Sequence, residues 1–386
     1  MRASIVLPRH LAIGAGASLE LPRLLELEGI DHPFIVCGPN ALRHGFLDRI
    51  TGGMDAAGIR YGVFAGTVPD PTERSVQEGL AALRQHPHDA VIGLGGGSPI
   101  DTAKAIALLA THGGTMRDYK VPRVNDGPGL PLIAIPTTAG TGSEVSRVTV
   151  ITDDIDGEKM LCLGNAFCPT MALVDYELTL TMPPRLTADT GLDSLTHAIE
   201  SYVSRKRNSF SDGMARLAMS AIARNIRHAY REPENRKARE AMMLAATQAG
   251  MAFSNASVAL VHGMSRPIGA CFHVPHGLSN AMLLPPVTAY SMPAAPERYA
   301  DCARFMGVAS DSDSDDSARE KLLTELRQLN RDLDVPTPRD YGIDRDRYFS
   351  MLETMARQAQ ESGSPANNPR VPTIGEIQAL YREAWD

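Results

Sequence analysis

Asp193 and His197 stand four residues apart in Gly191-Leu192-Asp193-Ser194-Leu195-Thr196-His197. On a helix that spacing puts both side chains on one face. Alone, the pair reads most simply as an i,i+4 ion pair. A second cluster shifts the weighting towards a metal: His262 in Val261-His262-Gly263-Met264-Ser265-Arg266, then His273 and His276 in His273-Val274-Pro275-His276-Gly277. One carboxylate with two or three imidazoles is a donor set for Fe²⁺, Zn²⁺ or Mn²⁺, and it does not choose among them. Glu200, three residues after His197, reads either as a support for such a ligand or, slightly better, as a structural ion-pair partner.

Two glycine-rich stretches offer a different chemistry. Gly95-Gly96-Gly97-Ser98-Pro99-Ile100-Asp101 follows the apolar run Val91-Ile92-Gly93-Leu94 and opens a helical pattern. Ser98 is expected as N-cap, Pro99 at the first helical position and Asp101 at capping-box spacing. Three glycines before a helix start let backbone N–H groups approach an anion, where the helix dipole favours negative charge. Pro136-Thr137-Thr138-Ala139-Gly140-Thr141-Gly142-Ser143-Glu144 adds hydroxyls suited to ribose or phosphate oxygens. Each loop by itself reads equally as a tight strand-to-helix turn. Two of them after consecutive strands favour a dinucleotide site, although the GxGxxG fingerprint is absent.

The elements that must position these groups fall into two halves. Phe34-Ile35-Val36-Cys37, Tyr61-Gly62-Val63-Phe64, Ala90-Val91-Ile92-Gly93-Leu94, Leu132-Ile133-Ala134-Ile135 and Met171-Ala172-Leu173-Val174 read as strands. Helical spacing at 74–85 and 102–111 lies between them, which implies a parallel sheet covered on both faces. From about Thr187 the spacing is helical throughout, including 322–333 and 374–385. The stretch Thr181-Met182-Pro183-Pro184 is a natural boundary. The expectation is an α/β domain over 1–180 and an all-α domain over 181–386, with 310–316 as a solvated acidic loop.

Composition excludes several classes. The 386 residues carry 38 Lys+Arg against 45 Asp+Glu, a net charge of −7, so there is no basic footprint for nucleic acid. Hydrophobic residues at 43% and charged residues at 22% exclude wholesale disorder. No apolar run reaches the roughly 20 residues of a membrane helix, and no signal peptide is expected. The 5 cysteines form no CxxC pair, which points to a reducing compartment rather than a disulfide scaffold.

Together these motifs resemble the iron-dependent (group III) alcohol dehydrogenase family. The resembling segments are 95–107, 136–146, 191–204 and 261–285, with 367–384 near the end. The resemblance implies an N-terminal dinucleotide-binding α/β domain and a C-terminal helical domain, the dehydroquinate synthase-like fold, with the active site between them. It implies NAD or NADP and Fe²⁺ as cofactors, a small alcohol or aldehyde substrate, no nucleic-acid or membrane partner, a cytoplasmic location and a homodimer or larger homo-oligomer. The metal ligands carry over to Asp193, His197, His262 and His276. His273 is left as a proton relay or substrate contact, or simply as a polar neighbour. Cofactor positions carry over to Gly96, Gly97, Ser98, Asp101, Thr137, Thr138, Thr141 and Lys159, with Leu178 near the nicotinamide side or in the core. In the implied chemistry the ion polarises the alcohol oxygen as a Lewis acid while the nicotinamide takes the hydride.

Three departures from the family pattern are informative. Gly38 follows the first strand where many relatives carry an acidic residue that meets the adenosine 2′-hydroxyl, so a 2′-phosphate is no longer repelled. Asp70 stands where relatives commonly have Asn, changing a cofactor contact or keeping a turn. Arg266 replaces a histidine four residues after His262. Arginine cannot relay a proton at neutral pH, but it binds carboxylate, phosphonate or sulfonate. It therefore faces either an acidic substrate or a cofactor phosphate or protein carboxylate. Two other functions share these features. A dehydroquinate-synthase-like lyase or cyclase would need extra basic side chains that do not match here. An inactive binding protein is suggested only by Arg266, and the complete ligand set argues against it.

Overall fold

The computed structural model describes residues 3–155 and 157–386. The chain divides into two compact units: Ile5–Met182, and a second made up almost entirely of Pro183–Asp386. The division falls inside the proline-rich stretch, where Pro183 precedes the first long helix.

The first unit is built on six parallel strands: β1 (His10–Ile13), β2 (Pro33–Cys37), β3 (Gly62–Phe64), β4 (Ala90–Gly95), β5 (Leu132–Pro136) and β8 (Met171–Val174). Their order is β1-β8-β5-β4-β2-β3. Every residue of β2, β4, β5 and β8 is buried. This is why these strands read as continuous apolar runs and not as alternating ones. Successive residues feed opposite layers: Ile35, Ile92 and Ile133 pack with Leu25, Ile50 and Met54, whereas Phe34, Val91 and Leu132 pack with Leu80, Ile106 and Leu109. The chain leaves β2 towards one edge and β4 towards the other, so the sheet has its switch point between these two strands. Ligands of open α/β sheets bind at the carboxyl ends of the strands at such a point.

Sequence periodicity does not reveal three strands. β1 is four residues long and only half-buried at the sheet edge. β6 (Val148–Thr152) and β7 (Lys159–Leu163) form a separate antiparallel hairpin. Its attachment is polar. The buried Lys104 ammonium donates to the carbonyls of Ser146 and Val148 at 3.0 and 2.7 Å, and the Val150 N–H donates to Asp101 at 3.0 Å.

In the second unit the described residues form helices and no strand. Helix Pro184–Val203 is buried along nearly its whole length, as expected of a helix surrounded by others. Gly191 makes this possible: a Cβ there would sit 2.8 Å from Ile226 and 3.0 Å from Met242. The expected loop over 310–316 is only partly one. Ser314 caps a helix that starts at Asp315 by accepting from the Ser317 N–H, and Asp315 and Asp316 complement its N-terminal dipole.

Candidate metal centre and nucleotide cradle

In the second unit three helices supply the metal-ligand candidates. Asp193 and His197 lie one turn apart on Pro184–Val203, His262 lies in the first turn of Leu260–Phe272, and His276 begins His276–Ser291. One ligand atom each from Asp193, His262 and His276 fall within 4.8 Å of one another. Asp193 Oδ1 is 3.3 Å from His262 Nε2 and 3.8 Å from His276 Nε2. His197 lies beside this trio, with Nε2 3.7 Å from Asp193 Oδ1 and its ring stacked on His262 at 4.5 Å. Its Nδ1 is buried without a hydrogen-bond partner among the described residues. Burial pushes the His197 pKa down to about 3, so the ring is neutral and able to donate a lone pair. Burial alone would raise the Asp193 pKa, but His197, His276 and His262 outweigh it and hold the carboxyl ionised. A carboxylate and imidazoles converging at one point, with one ring nitrogen unsatisfied, fit a divalent first-row ion.

Glu200 is not the ion-pair partner of a Lys or Arg among the described residues. Its carboxylate accepts from the N–H groups of Ala259 and Val261 at 2.9 and 2.6 Å, and from His262 Nδ1 at 2.6 Å. It thus caps helix Leu260–Phe272 and fixes the His262 tautomer, turning Nε2 towards Asp193. Gly277 is a second support that the spacing did not single out. A Cβ there would lie 2.3 Å from the Asp189 carbonyl, so only glycine lets His276 come this close to the helix that carries Asp193. Asn280, one turn after His276, also reaches the cluster. The i,i+4 spacing of His276 and Asn280 was the only sequence signal for it.

His273 does not join the cluster. It is exposed, and it ends helix Leu260–Phe272 in the left-handed conformation at φ 56°. Arg266 lies one turn after His262. Its Nη1 donates to Ser364 Oγ at 3.0 Å, and among the described residues no carboxylate pairs with it. Burial lowers its pKa to about 10, which leaves the guanidinium charged at neutral pH.

In the first unit the two glycine-rich loops lie side by side after β4 and β5. The Thr137 N–H donates to the Gly95 carbonyl at 2.9 Å. A Cβ on Gly96 would meet Thr138 at 3.3 Å, and one on Gly97 would meet Thr141 at 3.0 Å. Helix Gly97–His112 starts earlier than its sequence suggests. Gly96 is the N-cap, no side chain caps the helix, and Ser98 and Pro99 lie inside the first turn. The first-turn N–H groups therefore have no capping side chain in front of them. Thr138 Oγ1 is buried without a partner among the described residues, a hydroxyl suited to a ligand oxygen.

The remaining cofactor candidates separate clearly. Asp101 turns inward: Ser143 Oγ donates to one carboxylate oxygen at 2.7 Å and the Val150 N–H to the other at 3.0 Å. It ties the second loop and the hairpin to the first loop's helix. Lys159 and Asp70 pair with each other at 2.9 Å, and Asp70 holds a left-handed turn at φ 50°. Leu178 is a core residue, 1% exposed and packed with Met171 and Leu173. Gly38 has no room for a side chain, because its Cβ would lie 2.8 Å from Thr67 Oγ1.

Comparison with known proteins decides the family. Residues 8–176 match the model described as iron-containing alcohol dehydrogenase, and residues 187–385 match the C-terminal domain of the Fe-containing alcohol dehydrogenase family. The chain belongs to the iron-containing alcohol dehydrogenase family. It is 36% identical over 388 residues to the lactaldehyde reductase of Escherichia coli (strain K12), covering 100% of both chains. Among solved structures, the alcohol dehydrogenase from Oenococcus oeni superposes with a TM-score of 0.95 at 31% identity, with 100% of each chain covered. The sulfoacetaldehyde reductase from Bifidobacterium kashiwanohense, solved with NAD⁺, gives 0.89 at 27% identity, covering 100% of this chain and 99% of that one. This iron-containing alcohol dehydrogenase is accordingly a metal-dependent NAD(P) oxidoreductase that interconverts an alcohol and an aldehyde by hydride transfer. The lyase or cyclase alternative is not favoured.

Proposed function

We propose that this dehydrogenase acts on a short aldehyde or alcohol bearing an acidic group, and that Arg266 binds that group. The observation behind the proposal is a half-buried guanidinium whose hydrogen-bonding partner is the neutral Ser364 hydroxyl. A charge withdrawn from water and bonded to no carboxylate among the described residues is costly, and a substrate anion would offset that cost. Arg266 and His262 stand one turn apart on a helix, and residues so spaced are neighbours at about 5–6 Å between Cβ atoms. A short anionic substrate can therefore span from Arg266 to the metal ligands. The sulfoacetaldehyde reductase among the structural relatives carries, by its name, a substrate of this kind.

The same reading assigns Asp193, His197, His262 and His276 as ligands of the ion. It assigns Gly96, Gly97, Ser98, Thr137, Thr138 and Thr141 as the nucleotide cradle. Asp101 positions the cradle from within, and the Asp70–Lys159 pair flanks it. When bound, the ion supplies Lewis-acid stabilisation of negative charge on oxygen and the nicotinamide exchanges the hydride. The chain's own part is placement: Glu200 holds the His262 tautomer, and the glycine loops open backbone N–H groups to phosphate. Gly38 excludes the carboxylate that would repel a 2′-phosphate, so both NADH and NADPH are accepted. We place the enzyme in the cytoplasm as a homodimer or larger homo-oligomer.

The test is a panel of short aldehydes bearing sulfonate, phosphonate or carboxylate, set against neutral aldehydes of equal length. Each is followed by nicotinamide absorbance with NADH and with NADPH on Fe²⁺-reconstituted protein. For Arg266→Ala we expect kcat/KM to fall about tenfold to a hundredfold more on acidic than on neutral aldehydes, the size of a lost charge-assisted hydrogen bond. An equal loss on both classes would rule the reading out.

A further inference from the structure

We infer that Asn280 is a member of the metal centre, and that its side-chain amide holds the ligand atoms in place. The inference rests on the reading of Asp193, His262 and His276 as ligands. Asn280 is fully buried on helix His276–Ser291. Its Nδ2 lies 2.7 Å from Asp193 Oδ1, 3.2 Å from His276 Nε2 and 3.3 Å from His262 Nε2. These are the atoms that would bind the ion, and the amide nitrogen is within hydrogen-bond reach of all three. Its other end is the opposite case: Oδ1 is buried with no hydrogen-bond partner among the described residues.

A purely structural buried amide pairs both its donors and its acceptor. Here the donors point at metal-ligand atoms, and the acceptor has no partner among the described residues. The amide thereby fixes Asp193 Oδ1 relative to His262 Nε2 and His276 Nε2. Asn280 thus supports the ligands from the helix that carries His276. It is a positioning residue, one turn from a ligand, and not a participant in hydride transfer.

The test uses full-length protein stripped of metal by a chelator and titrated with Co²⁺. It reads the visible d–d absorption of the ion and the thermal midpoint, with no dependence on turnover. Asn280→Leu should bind Co²⁺ about tenfold to a hundredfold more weakly, the usual loss for a missing support of a metal ligand, and with an altered absorption band. Asn280→Asp keeps an oxygen but sets a second carboxylate beside Asp193. Its metal-free form should melt below wild type, and Co²⁺ should raise its midpoint by more than it raises that of wild type. Asn280→Leu with unchanged affinity and band overturns the inference. If that variant does not fold, Asn280→Asp decides, and a Co²⁺-induced shift no larger than that of wild type overturns it. Asp193→Ala separates the two levels. Wild-type Co²⁺ affinity in Asp193→Ala removes the ligand reading and this inference together, whereas lost binding there beside an unaltered Asn280→Leu removes only the role of Asn280.

Discussion

Glu200 and Arg266 are charged side chains of the same helical unit with opposite surroundings. Glu200 is saturated: two backbone N–H groups and one imidazole N–H point at its carboxylate. Arg266 is nearly unspent, with one neutral hydroxyl. Saturation marks a support, and the reading proposed above leaves the unspent charge for the substrate. Glu200→Ala would strand three buried donors at about 1–3 kcal/mol each and free the His262 ring to change tautomer. We expect a lower denaturation midpoint together with metal affinity reduced about tenfold to a hundredfold, read by chelator competition. A stability loss with wild-type metal affinity would show that Glu200 only caps the helix. Residue types and spacing pointed to Asp193, His197, His262 and His276. They could not rank Glu200 as support over ion pair, because that depends on which side chain arrives from helix Leu260–Phe272.

At the level of elements, the metal centre depends on how closely two helices approach. Gly277 faces the Asp189 carbonyl, one turn before Asp193, with space for a hydrogen only. Gly277→Ala must push helix His276–Ser291 outward, a change of the overpacking kind that costs about 1–3 kcal/mol. Because His276 is the adjacent residue, we expect metal affinity to fall more than global stability does, measured by metal titration alongside denaturant unfolding. Equal metal affinity in Gly277→Ala would mean that the helix adjusts without moving His276. The nucleotide cradle shows the same principle: Gly96 and Gly97 let the loops after β4 and β5 touch. The strands of the sheet interior were legible as apolar runs because both of their faces are buried. β1 and the β6–β7 hairpin were not, since a short edge strand and a half-exposed hairpin carry little apolar signal. The helix start at Gly97 was also misplaced, because Ser98 and Pro99 look like cap residues whether or not the turn places them there.

On the scale of the molecule, the reading proposed above gives the two compact units separate ligands, nucleotide for Ile5–Met182 and metal for Pro183–Asp386. Binding to the folded form stabilises it by mass action, about 2.7 kcal/mol at a ligand concentration of 100 Kd. Fe²⁺ added to metal-free protein should therefore raise the thermal midpoint. In hydrogen-exchange mass spectrometry its protection should fall first on helices Pro184–Val203, Leu260–Phe272 and His276–Ser291. Protection appearing first at 95–104 and 136–146 would contradict this division of labour. The sequence by itself determined the class of sheet, the boundary near Pro183, the glycine loops and the donor types, because apolar periodicity, backbone permissiveness and ligand chemistry are local properties of the chain. Only the tertiary structure decided that Leu178 is core, that Asp101 spends its carboxylate internally, that His273 ends a helix, and that Asn280 reaches the ligands. Each of these depends on which atoms meet across long stretches of sequence, and a residue's type and spacing do not encode its distant neighbours.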